Sequence, residues 1–132
     1  LTVLSVKPHN QEKKLKEVLK KLLEEHPAKE IRILSPFGGQ TSLAGRVVRS
    51  EAASNEAEWL KSNLKSSAVI DGIRWRSIMK FKGLESEVIV ITDLGKEAEN
   101  FFEKIGRSYN DAIYVGVTRA KTKCVLLLTQ DD

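Results

Sequence analysis

The side chains best suited to chemistry here are a series of cations and one carboxylate beside a glycine. Arg74, Arg76, Lys80 and Lys82 fall on alternate positions, with Ile78 between them. Side chains of a strand alternate in direction, so an extended 74–82 segment puts all four cations on one side. Such a ribbon suits a phosphate backbone, and it suits a solvated sheet edge equally well. Glu85 follows Gly83 in a polar turn just before Val88-Ile89-Val90-Ile91. That apolar run reads as a strand covered on both faces, as in a parallel sheet. Ligands of such sheets sit at strand ends and in the adjoining loops. Arg119 ends an apolar helical pattern. On its chemistry alone it is a cation at a helix C-terminus, favoured there by about 0.3–1 kcal/mol. Gly38 and Gly39, beside Thr41 and Ser42, form a weaker candidate for cradling a phosphate.

Other chemistries lack their residues. No Gly-x-x-x-x-Gly-Lys-Ser/Thr occurs, so the chain has no Walker A loop of its own. His9 and His26 stand beside prolines with no Cys/His cluster around them, and no metal site is expected. No Ser-His-Asp or paired-carboxylate arrangement suggests another hydrolytic route. The 132 residues suit one domain, and 41% hydrophobic with 30% charged residues is globular composition. The net charge of +4 permits a polyanionic partner. The single cysteine, Cys124, cannot form an internal disulfide and reads as a small core residue. A reducing, cytoplasmic setting is expected. No apolar run approaches the ~20 residues of a membrane span, so no membrane partner is expected. The chain opens on a strand-like Leu1–Val6 without Met, and a fragment of a longer chain is expected.

The elements that must position these residues follow in order. Thr2–Val6 is a strand. Asn10 caps a helix whose inner side is Leu15, Val18, Leu19, Leu22 and Leu23. Pro27 ends it, and Ile31–Leu34 is a second strand. Leu43 and Val47 indicate a short helix. Ser54 or Asn55 caps the next, the latter with Glu58 in a capping box, and Trp59, Leu60 and Leu64 face inward. Ala68–Trp75 resembles a hairpin with an Asp-Gly turn. Ile73–Ile78 is a strand that feeds Val88–Ile91. A helix stops at Gly106, and another starts at Ser108, with Ala112, Val115 and Ala120 inward and Arg119 and Lys121 in its last turn. Lys123–Thr129 closes the sheet.

Two segments together resemble a known family. Phe81-Lys82-Gly83-Leu84-Glu85, leading into Val88–Ile91, is similar to motif V of the UvrD-like superfamily 1 DNA helicases. Tyr114-Val115-Gly116-Val117-Thr118-Arg119-Ala120-Lys121 is similar to their motif VI, the more specific of the two. Order, spacing and the following strand all agree, and the motifs cover about a quarter of the chain. Ile31–Ser42 and the β-α-β unit before it resemble the start of the same family's second RecA-like domain more loosely.

The resemblance implies a three-layer α/β, RecA-like (P-loop NTPase-like) domain with a mainly parallel sheet flanked by helices. It implies the C-terminal motor domain of an ATP-dependent helicase. ATP and Mg²⁺ would be held mainly by an N-terminal RecA-like domain of the same chain, and single-stranded or duplex DNA would be the other partner. Arg119 would be the arginine finger on the γ-phosphate. Glu85 would accept hydrogen bonds from the ribose, with Gly83 allowing the turn. Gly116 and Thr118 would shape the helix end, on the nucleotide and nucleic-acid sides respectively. Arg74, Arg76, Lys80 and Lys82 would lie near the DNA. Alone, such a domain would not hydrolyse ATP. Two positions depart from the family. Met79 stands where a His is common, and Pro36 stands where an Arg is common, leaving either Arg46 or no residue to supply that phosphate contact. The alternative is a non-hydrolysing nucleic-acid-binding module derived from the same fold.

Overall fold

A computed structural model describes residues 1–38, 40–51, 54–65, 72–81 and 83–130. Its strands are β1 (Thr2–Val6), β2 (Ile31–Ser35), β3 (Leu64–Lys65), β4 (Ile73–Ser77), β5 (Ser86–Leu94) and β6 (Ala120–Thr129). Its helices are α1 (Gln11–Leu23), α2 (Leu43–Arg49), α3 (Asn55–Asn63), α4 (Lys96–Lys104) and α5 (Tyr109–Thr118). The six strands form one sheet in the order β1-β6-β5-β2-β4-β3, and every pairing is parallel.

The run Val88–Ile91 shows why β5 lies at the centre. Val88 and Val90 pack into the core beneath α1, α2 and α3, while Ile89 and Ile91 pack into a second core beneath α5. All four are fully buried. At about 1.5–3 kcal/mol each, their burial contributes roughly 6–12 kcal/mol. Helices on both faces of a parallel sheet give the expected three-layer RecA-like architecture.

Local chemistry sets the helix ends. Ser42, Ser54 and Ser108 each accept a hydrogen bond from the backbone N–H three residues on, at 3.1, 3.1 and 3.2 Å. Ser54 is therefore the cap of α3, and Asn55 is its first helical residue, so the Asn55/Glu58 box is not the device used. Asn10 precedes α1 as expected, but its side chain makes no cap bond because a 3₁₀ turn over Pro8–Asn10 leads into the helix. Leu60 and Leu64 are buried, whereas Trp59 is only half-buried.

Three expectations need correction. The described neighbours of β4, namely β2 and β3, both run parallel to it, so β4 is not the second arm of a hairpin. Asp71 of the expected Asp-Gly turn, and positions 68–70 of the arm before it, lie outside the described residues. The strand meant to carry four cations ends at Ser77. A 3₁₀ turn over Ile78–Phe81 then takes Ile78 and Phe81 into the core, because both are apolar and three apart. The ribbon is therefore cut after Arg76. Finally, β6 begins at Ala120, which moves Lys121 from the end of α5 into the strand.

Candidate nucleotide and nucleic-acid edge

Motifs far apart in sequence meet at the N-terminal ends of β5 and β6. Ser86 pairs with Ala120 in the ladder, and the Ser86 N–H donates to the Arg119 carbonyl at 3.1 Å. Glu85 and Arg119 therefore flank one backbone hydrogen bond. Gly83 turns the chain there with φ +77°, a left-handed conformation costly for other residues. The Leu84 N–H closes that turn on the Phe81 carbonyl at 3.1 Å.

The end of α5 comes close to the sheet because of Gly116. A Cβ at that position would lie 2.7 Å from Ile91 Cδ1. Gly116 is thus buried against β5 rather than exposed at the edge, and its contribution is to seat the helix. Thr118 is exposed, and its hydroxyl donates to the Val115 carbonyl at 3.0 Å. Arg119 is half-buried, and its Nε is buried with no hydrogen-bond partner. Glu85 is exposed and forms no hydrogen bond or ion pair among the described residues. The two opposite charges do not pair with one another, so both remain open to a ligand. Phosphoryl oxygens suit the guanidinium, and a sugar hydroxyl suits the carboxylate.

The cations predicted to share one side are only partly together. Arg74 and Arg76 sit half-buried on β4. Lys80 is exposed on the 3₁₀ turn, where its carbonyl accepts from Arg76 Nη1 at 3.4 Å. Lys82 lies outside the described residues. Sequence reasoning passed over Arg32, which pairs across the ladder with Arg74. Arg32 is 7% exposed, and its guanidinium lies 5.2 Å from the centre of the Phe81 ring. Burial, with repulsion from Arg74 and Arg76, lowers its pKa from 12.5 to about 10, which leaves it cationic at neutral pH. The one sequence signal was an arginine inside the apolar run Ile31–Leu34.

Asp93, at the other end of β5, was also missed. It has φ +63° and is 9% exposed. Its Oδ2 accepts from Ser35 Oγ (2.7 Å), Thr92 Oγ1 (2.8 Å) and the Leu43 N–H (3.0 Å). Its Oδ1 accepts from Arg46 Nη2 at 3.1 Å. Arg46, the candidate for a phosphate contact, is thus held by Asp93 and by the Thr41 carbonyl. This carboxylate ties the ends of β2 and β5 to the start of α2, beside a cleft of about 240 Å³. In the glycine-containing loop, the Gly38 carbonyl accepts from the N–H groups of Thr41 and Ser42, and Gly39 lies outside the described residues. No group of three His, Cys, Asp or Glu among the described residues could hold a metal. The guanidinium of Arg119 and the carboxylate of Glu85 have the chemistry that a nucleotide's phosphates and sugar hydroxyls call for. No helix among the described residues is long and apolar enough to cross a membrane.

Residues 5–131 match the family described as AAA domain. The chain belongs to that family. AAA domains of this kind are helicase-like P-loop domains, built as nucleotide-dependent motors that use ATP with Mg²⁺, and the all-parallel, two-sided sheet agrees with a RecA-like member. Among curated proteins, none matches this AAA domain.

Proposed function

We propose that this AAA domain is the C-terminal motor domain of a UvrD-like superfamily 1 helicase, driven by ATP and acting on DNA. In this reading ATP lies between it and an N-terminal RecA-like domain that supplies the Walker A loop and the Mg²⁺ ligands. Arg119 stabilises charge on the transferring phosphoryl oxygens, with Thr118 and the buried Gly116 fixing the helix end that presents it. Glu85 accepts a hydrogen bond from the ribose, and Gly83 permits the turn that carries it. Arg74, Arg76, Lys80 and Lys82 contact the DNA strand.

The observation that supports the reading is the Ser86–Arg119 backbone bond, which joins the segments that carry Glu85 and Arg119, together with the Arg119 Nε that has no hydrogen-bond partner. Its test is ATP turnover by the full-length protein. Arg119→Ala lowers kcat by about 10³-fold or more, and Glu85→Gln raises KM more than it lowers kcat. Near-normal turnover by Arg119→Ala overturns the reading. The second reading, a non-hydrolysing nucleic-acid-binding module, draws on the arginines of β4 alone. It predicts salt-dependent binding of single strands with no DNA-stimulated ATP turnover.

A further inference from the structure

Charges are rarely buried without a partner, because desolvation costs several kcal/mol unless an opposite charge or hydrogen bonds offset it. Arg32 departs from that rule. It is more than nine-tenths buried, its Nε has no hydrogen-bond partner, and it takes part in no ion pair among the described residues. Its lateral neighbour on the sheet is Arg74, whose Nε is also buried and unpartnered. Lateral neighbours in a parallel ladder point to the same face, and Arg76, two residues along β4, points there too. Three guanidinium groups therefore share one patch, and among the described residues no carboxylate is paired to any of them. Repulsion between them adds to the cost of burial and shows in the lowered pKa of Arg32. The compensation that the fold provides is the Phe81 ring, whose centre lies 5.2 Å from the Arg32 guanidinium carbon.

We propose that Arg32, Arg74 and Arg76 form a phosphate-binding patch on the β2–β4 face, with Phe81 as the platform that orients Arg32. Three converging positive charges exceed what a single carboxylate neutralises, and they match adjacent phosphate groups, each offering planar pairs of oxygens to a guanidinium fork. A nucleic-acid backbone and the phosphates of a nucleotide share that chemistry. This adds a residue and an anchoring geometry to the proposed nucleic-acid contact, and rests on that reading for the backbone source only.

The test uses pyrophosphate and a fluorescent single-stranded dT oligonucleotide as probes, on wild type and on Arg32→Met. Met keeps length and burial but removes the charge. Without ligand, Arg32→Met melts at the same temperature as wild type or higher, because an unpaired buried charge has been removed. With pyrophosphate, wild type is stabilised and Arg32→Met is not. Binding of the oligonucleotide weakens about tenfold, and the slope of log affinity against log salt shallows by about 0.7 for each phosphate no longer neutralised. Weakening with the oligonucleotide alone identifies a nucleic-acid backbone, weakening with pyrophosphate alone identifies nucleotide phosphates, and either supports the patch. Unchanged binding of both probes overturns it, whether or not the melting temperature falls; a lowered turnover with both affinities intact would point instead to a carboxylate from another domain. Arg74→Gln, at a half-buried position, carries the same readouts if Arg32→Met does not fold. Because Arg119→Ala is read by turnover and Arg32→Met by binding, failure of either proposal is told apart from failure of the other.

Discussion

Replacing Asp93 tests how the C-terminal ends of β2 and β5 are tied to the start of α2. Asp93→Ala removes the acceptor of three buried donors, Ser35 Oγ, Thr92 Oγ1 and the Leu43 N–H, and the partner of Arg46. The two hydroxyls can rotate toward other acceptors, but the Leu43 amide cannot. An orphaned buried donor costs about 1–3 kcal/mol. Alanine in the left-handed conformation adds about 1–2 kcal/mol. With the weakened hydroxyl bonds the sum is roughly 4–6 kcal/mol, a large share of the ~5–15 kcal/mol that holds a domain of this size. Asp93→Asn is the control. Asparagine tolerates the left-handed conformation and keeps a carbonyl oxygen where Oδ2 accepts three bonds. It loses the charge pair to Arg46, whose side chain is 50% exposed, so that pair is worth about 0–1 kcal/mol. The expected cost is about 1–2 kcal/mol. Urea denaturation of wild type and both variants measures these values. Thermal midpoints should fall by about 4 °C per kcal/mol. Asp93→Ala within about 1 kcal/mol of wild type, or Asn as damaging as Ala, would refute the reasoning.

Two further outcomes follow from buried positions. Gly116→Val forces α5 away from Ile91; overpacking of this kind costs about 1–3 kcal/mol, and ATP turnover should fall in a variant that still melts cooperatively, because Arg119 lies three residues on. Unchanged turnover would mean that the seating of α5 does not set the position of Arg119. Burial pushes the Cys124 thiol from 9 up to about 11. Its contribution to stability is therefore present below pH 9 and is lost as pH rises through about 11. At about pH 8, below the ordinary thiol range, Cys124 should resist thiol reagents in the native state and react rapidly in urea; rapid native labelling would contradict its burial.

The parts legible in the sequence were those fixed by local chemistry. Four β-branched residues announced β5, Ser108 and the Ser54-Asn55 pair marked the starts of two helices, and Gly83 marked a turn that only glycine enters easily. The meeting of Glu85 with Arg119 was legible only through the resemblance of two motifs, since the pairing of Ser86 with Ala120 joins segments far apart along the chain. Strand order, the two-residue β3, and the pairing of Arg32 with Arg74 depend on the same kind of long-range contact and leave no local trace. The cation ribbon failed for a reason that was visible. Ile78 and Phe81 are both apolar, and burying the pair required the chain to coil after Ser77 rather than continue extended.

The most direct test of the split nucleotide site is the kcat for ATP of the full-length protein carrying Arg119→Ala, measured at saturating single-stranded DNA. The expected result is a fall of about 10³-fold or more with an unchanged unfolding midpoint. A kcat near that of wild type would contradict the assignment of Arg119 to the transferring phosphoryl group.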